Sequence, residues 1–196
     1  MTSNSAKEKR TKTPFVLTQI SSMLSVVSGS MIFMAFPWLA IQMTGSAASA
    51  GMMIAITSIP GLLLAPVIGS IIDKFGRRKT SIIIEFLAAA SVLLIPLANS
   101  LWVMTLALLI IIGTIRSTVA SGAGTARKSF VPDVARVAGL SLERANSIQE
   151  AVFASGFAVG PALAALFIGW TGVYNTFYLI AAIGFISGLF MIPIKA

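Results

Sequence analysis

Gly69-Ser70-Ile71-Ile72-Asp73-Lys74-Phe75-Gly76-Arg77-Arg78-Lys79 places one acid, four bases and a turn glycine between two long apolar runs. No charge occurs over residues 13–72, and beyond the stretch Glu85 and Arg116 are the only charges before Arg127. A compact charged knot between uncharged spans reads as a short cytoplasmic loop joining two membrane helices.

Composition agrees. Hydrophobic residues make up 57% of the chain and charged residues 10%, with a mean hydropathy of +0.94. A soluble domain carries about 25% charged residues, so the chain cannot cover an ordinary water-facing surface. There is no cysteine and no histidine, which removes disulfides, thiolate chemistry, the commonest general base and the commonest metal ligand. No cofactor, metal or enzymatic activity is expected. The net charge of +8 is read as contact with anionic lipid headgroups. Nucleic acid is not expected, because the bases are distributed among loops and do not form one soluble face.

A spanning helix needs about 20 mostly apolar residues. Six such stretches are predicted, over about 14–43, 50–72, 80–98, 101–125, 147–170 and 173–194, with a basic tail over 1–13 and a longer loop over 126–146. Gly, Ser, Thr and Asn fill the short breaks, as turn formers should. The apolar run 14–43 exceeds the 7–15 or so residues of a signal h-region, so a spanning helix is expected there and not a cleaved signal. In the longer loop, Pro132-Asp133 is expected to end helix 4 and 134–144 to form an amphipathic helix on the inner leaflet. Ser147 with Glu150 reads as a capping box for helix 5, with Asn146 as the alternative cap.

The bases orient the spans. Lys7, Lys9, Arg10 and Lys12 precede helix 1; Lys74, Arg77, Arg78 and Lys79 follow helix 2; Arg127, Lys128, Arg136 and Arg144 follow helix 4; Lys195 follows helix 6. The alternate loops carry no charge. Basic residues mark the cytoplasmic side, so the expectation is a multi-pass cell-membrane protein with both termini inside. Trp38, Trp102, Trp170 and Tyr174 fall at the opposite ends, the interfacial position such residues favour.

The loop pattern of Gly69, Asp73, Lys74, Gly76, Arg77, Arg78 and Lys79 resembles the helix 2–3 signature of the major facilitator superfamily. Gly76 suits a turn needing positive φ, Gly69 a close helix approach, and Arg77, Arg78 and Lys79 a reach to anionic headgroups. The resemblance gives Asp73 a gating role against the other half of such a transporter; the alternative is a plain topology anchor. In helix 5, Gly156, Gly160, Pro161 and Ala164 resemble the antiporter signature of that superfamily, with Ala164 and Ala165 replacing its final glycines. Small residues there allow tight packing and Pro161 permits a kink.

Arg116, about 15 Å from the expected inner end of helix 4 at 1.5 Å per residue, corresponds to an arginine that the superfamily uses in proton coupling. The usual downstream Gln-Gly is absent, since Val119 and Ala120 stand there. Arg116 either serves that coupling or forms an ion pair that fixes packing. Glu85, about 9 Å into helix 3, differs from it in depth by only about 6 Å. It is therefore expected either to pair with Arg116 or to turn to the inner interface and meet Arg77 and Arg78. Gln19, Ser22 and Ser25 either line a cavity or bind helices together.

The stretches from Val131-Pro132-Asp133 through Leu142-Glu143-Arg144-Ala145-Asn146 to Gly160-Pro161-Ala162-Leu163 are similar to the macrolide-efflux and siderophore-exporter branch. What the resemblance implies is an all-α, polytopic fold of six transmembrane helices, the N-terminal half of a major facilitator. The implied function is proton-coupled efflux of an amphipathic small molecule. Superfamily members bind substrate between two six-helix halves, so the expected partners are substrate, protons, anionic lipids and a second half or homodimer mate. The alternative is a non-transporting membrane fragment.

Overall fold

The computed structural model describes residues 11–101 and 104–194, apart from the side chains of residues 72, 73, 125 and 126. Six helices follow one another: α1 (Thr13–Thr44), α2 (Ala47–Phe75), α3 (Arg77–Leu101), α4 (Leu106–Ala138), α5 (Leu142–Thr171) and α6 (Val173–Met191). Each is long and apolar enough to cross a membrane. The described residues contain no strand. The tail bases Lys7, Lys9 and Arg10, together with Trp102 and Lys195, lie outside the described residues.

Turns are as tight as their glycines allow. Gly76 alone separates α2 from α3, at φ 91°, and Gly45, Gly139 and Gly172 also take positive φ. Helix ends, however, differ from expectation at the basic end of the bundle and at the α3–α4 connection, where Asn99 and Ser100 lie inside α3 and α4 starts at Leu106. α4 continues through Pro132 to Ala138, and α5 begins at Leu142 with Ser141 as its cap, accepting from the Arg144 amide at 3.3 Å. Thus no separate amphipathic helix forms over 134–144. Ser147 and Asn146 lie inside α5, where the Ser147 hydroxyl donates to the Glu143 carbonyl at 2.9 Å.

Packing explains the extension. Phe130, Val131, Val134, Ala135 and Ala138 form one apolar face of α4, and it buries against Phe15, Ala145, Met191 and Ile194. Protein therefore covers the face that sequence alone assigned to lipid. Burial of this set offsets the roughly 3 kcal/mol that an interior proline costs a helix. At 1.5 Å per residue, the 33 residues of α4 reach about 50 Å, well past a hydrocarbon core of about 30 Å.

Neighbour relations have an internal symmetry. α1 packs on α5 and α6 as α4 packs on α2 and α3, while α3 meets α6 and α1 meets α4. The remaining pairs, α1 with α2, α4 with α5, α2 with α3 and α5 with α6, also map onto one another when α1, α2 and α3 are exchanged for α4, α5 and α6. Such a pattern is that of two three-helix repeats within a six-helix body.

Seams between helices are made from small and hydroxylated residues, because lipid supplies no hydrophobic drive for helices to associate. Ser21 and Ser187 donate to each other's carbonyls at 2.9 and 2.8 Å, and Ser28 donates to the Ile180 carbonyl at 3.0 Å, joining α1 to α6. Ser30 joins α1 to α5 through the Gly156 carbonyl at 3.1 Å.

Candidate functional site

Four residues at helical spacing form one stripe of α4: Arg116, Ala120, Ala123 and Arg127. Eleven residues are just over three turns, so the two arginines share a face about 16 Å apart, with only methyl groups between them. That face looks toward α3 and α6, and Glu85 of α3 meets it.

Glu85 does not pair with Arg116. Its Oε2 accepts from Arg127 Nη2 at 2.7 Å, and both side chains are buried. Arg127 also donates to Ser187 Oγ at 3.3 Å, which ties the pair to the Ser21–Ser187 seam. The correction has a geometric cause. A helix 4 that ended at residue 125 would leave Arg127 outside the membrane, whereas α4 ends at Ala138. Measured from that end, Arg127 is about 16 Å in and Arg116 about 33 Å, while Glu85 is about 12 Å into α3. The ion pair itself shows that Glu85 and Arg127 meet at one depth. From sequence alone Arg127 reads as one of the topology-setting bases. The signal that could have distinguished it is its eleven-residue spacing from Arg116, with alanines at both intervening turns.

Arg116 stands between two spaces. On one side is a void of about 20 Å³ lined by Ser25, Ser28, Glu85, Ala88, Ala89, Arg116, Ala120, Ala123 and Gly184. About 10–15 Å³ is enough for one water, so the void has room for one, with carboxylate, guanidinium and hydroxyl groups around it. On the other side is a cleft of about 320 Å³ between α1, α2 and α4, walled by Gly29, Phe33, Phe36, Met53, Thr57, Gly113, Arg116 and Ser117 among others. Among the described residues no acid lines that cleft. Arg116 Nε is buried without a hydrogen-bond partner in the protein. A half-buried cation that faces an apolar cleft and shares a water-sized void with a carboxylate is placed to bind a polar group.

The other expected residues separate into several places. Ser25 lines the void. Gln19 and Ser22 are buried within the bundle, and their amide and hydroxyl atoms have no partner in the protein. Gly156, Gly160 and Ala164 form the buried face of α5 against α1. A Cβ on Gly160 would stand 1.9 Å from Ser30 Oγ and 2.8 Å from the Val27 carbonyl oxygen, so glycine is obligatory there. Pro161 follows within the same helix.

Around the α2–α3 turn, Arg77 and Arg78 bind groups of the protein itself. Arg77 donates to the Ser129 carbonyl at 3.1 Å and lies 3.5 Å from Asp133, which also takes Arg136 at 3.3 Å. Arg78 donates to the Ile192 carbonyl. Lys74 and Lys79 are exposed. A Cβ on Gly69 would meet open space, so no helix among the described residues makes the close approach expected there. The side chain of Asp73 lies outside the described residues.

With this geometry in hand, comparison with known proteins is decisive for the family. The model of the Major Facilitator Superfamily matches residues 19–196. The chain belongs to the Major Facilitator Superfamily. Curated relatives include the multidrug efflux pump Tap of Mycolicibacterium fortuitum, 31% identical over 171 residues, which cover 86% of this chain and 42% of the relative. Tap of Mycobacterium bovis and of Mycobacterium tuberculosis is 31% identical over 173 residues, covering 86% of this chain and 41% of the relative. The chain thus spans about two fifths of the length of these relatives. As a member of this family with six spanning helices, it is a multi-pass membrane protein.

Proposed function

We propose that this chain supplies six helices of a secondary efflux permease for amphipathic small molecules, coupled to protons. It sits in the cell membrane with its basic end in the cytoplasm. The observation that carries this reading is the position of Arg116, shared by the α1–α2–α4 cleft and the Glu85 void. Substrate would rest on the aromatic and thioether walls of Phe33, Phe36 and Met53. Arg116 would hold its polar group, and Glu85 would take or release a proton through the void as that charge changes. Family members alternate access by rocking two six-helix bodies around a central site. A second body, in the same assembly, is therefore part of the proposal. It would meet the open surface around Gly69 on α2, where Asp73 would act as its gate contact.

The test is dye efflux from cells that express this chain alone and together with a second six-helix body, with and without a proton uncoupler. Uncoupler-sensitive efflux that Arg116→Ala abolishes, at equal membrane insertion, is the expected result. Undiminished efflux in Arg116→Ala would overturn the assignment of Arg116. Efflux that ignores the uncoupler would overturn proton coupling.

A further inference from the structure

The four bases around the Gly76 turn divide into two pairs. Arg77 and Arg78 are held by Ser129, Asp133 and Ile192. Lys74 and Lys79 are exposed and have no hydrogen-bond or carboxylate partner among the described residues. Both stand at one place. Lys79 lines a groove of about 460 Å³ on the surface between α2, α3 and α4. Lys74 Nζ lies 5.9 Å from the ring centre of Phe75, which lines the same groove.

Below these amines the groove is apolar, walled by Ile68, Ile71, Ile83 and Leu87. Lys79, Ile83 and Leu87 follow at four-residue steps, so this wall runs about 12 Å along α3 from the basic end inward. Two cations at headgroup level above an apolar trough match a phospholipid in both polarity and direction. We propose that the groove seats one anionic phospholipid, its phosphate between Lys74 and Lys79 and one acyl chain along Ile83 and Leu87. A protein helix fits this mouth poorly, since it would bury two amines that no carboxylate among the described residues neutralises. A lipid so placed would brace the single-residue turn at Gly76. The proposal is independent of transport.

Each basic residue near the headgroups contributes about 1 kcal/mol toward an anionic lipid, or about fivefold, so the two amines together predict roughly 25-fold selectivity. The test is native mass spectrometry of the purified full chain, titrated with phosphatidylglycerol and phosphatidylcholine of matched acyl chains. Retention of one phosphatidylglycerol at about 25-fold preference is expected, falling to near unity in Lys74→Gln/Lys79→Gln. Ile83→Trp, which fills the groove and leaves both amines, should reduce retention of either lipid. Equal retention of the two lipids by the native chain would overturn the proposal. So would a preference that survives the lysine pair but disappears in Arg77→Gln/Arg78→Gln. Competition by glycerol phosphate as strong as by the intact lipid would reveal a bare phosphate site instead, and a second copy seated on Ile83 and Leu87 would replace the lipid as occupant.

Discussion

Replacing Arg127 with methionine should be among the most damaging single changes in the bundle. Oppositely charged groups 2.7 Å apart attract by about 6 kcal/mol at an effective dielectric of 20. Desolvation of both ions consumes much of that, so the pair itself adds little net stability. Removing one partner is different. Arg127→Met strands the Glu85 carboxylate in a site where the residue is only 4% exposed, and breaking such a pair costs about 3–5 kcal/mol. Glu85→Met strands Arg127 with Ser187 Oγ as its remaining side-chain acceptor among the described residues, and its cost should fall in the same range. The double variant Glu85→Met/Arg127→Met leaves no buried charge and should recover most of the loss, since apolar replacement of a whole buried pair is often neutral or stabilising. Reversible denaturation of the purified protein in mixed micelles, followed by helicity, gives the four free energies. A coupling above about 2 kcal/mol is expected between Glu85 and Arg127, larger than the one between Glu85 and Arg116. Additive singles, or a larger coupling to Arg116, would refute the pairing and restore the depth argument drawn from sequence.

Gly160→Ala should destabilise by about 1–3 kcal/mol through overpacking, because the new methyl meets a backbone carbonyl as well as Ser30. Ser30→Gly should rescue it only in part, as read by the same denaturation assay. Gly69→Ala is the matched control: its methyl meets open space, and the better helix propensity predicts a gain of up to about 1 kcal/mol. Gly76→Ala forces a side chain into φ 91° and should cost about 1–2 kcal/mol. Ala123→Val adds two methyl groups at a void of about 20 Å³. In an efflux assay it should weaken uncoupler sensitivity more than it lowers the amount of inserted protein.

The spans were legible because a bilayer imposes a length and a composition that few other environments do. Their ends at the basic side were not. Val131, Val134, Ala135 and Ala138 recur at helical intervals, and that periodicity states that one face is covered without stating by what. Lipid was the local answer; Phe15 and Met191, more than a hundred residues apart in sequence, were the real one. A single misplaced helix end then propagated into the wrong partner for Glu85. The α5 motif fared differently. Gly156 and Gly160 pack against α1 because small residues at four-residue intervals have few uses in a membrane helix other than close contact. Arg77 and Arg78 show the converse: a base in a loop is read as facing an anionic surface, and only the fold reveals that it also donates to the carbonyls of Ser129 and Ile192.

Charge at the basic end also determines where this body can yield. Arg77 and Arg78 tie the start of α3 to α4 and to the end of α6, Lys128 meets Glu150 at 3.1 Å between α4 and α5, and Glu85–Arg127 joins α3 to α4 farther in. The exposed pairs contribute at most about 1 kcal/mol each, but they cross different helix seams and act together with the buried one. The cleft lies in the other half of the bundle, among residues 29–37 of α1, 53–58 of α2 and 113–120 of α4, and no ion pair crosses the seams there among the described residues. What holds those seams is close packing, as at Gly113 against Phe36 and Thr57, and at Gly61 against Ser117. Packing contacts of this kind can slide or open by small steps, whereas a buried ion pair is either made or broken. Widening of the cleft should therefore be absorbed at the α1–α4 and α2–α4 seams while the basic end moves as a unit. Arg116, which touches both regions, is the residue through which one would sense the other.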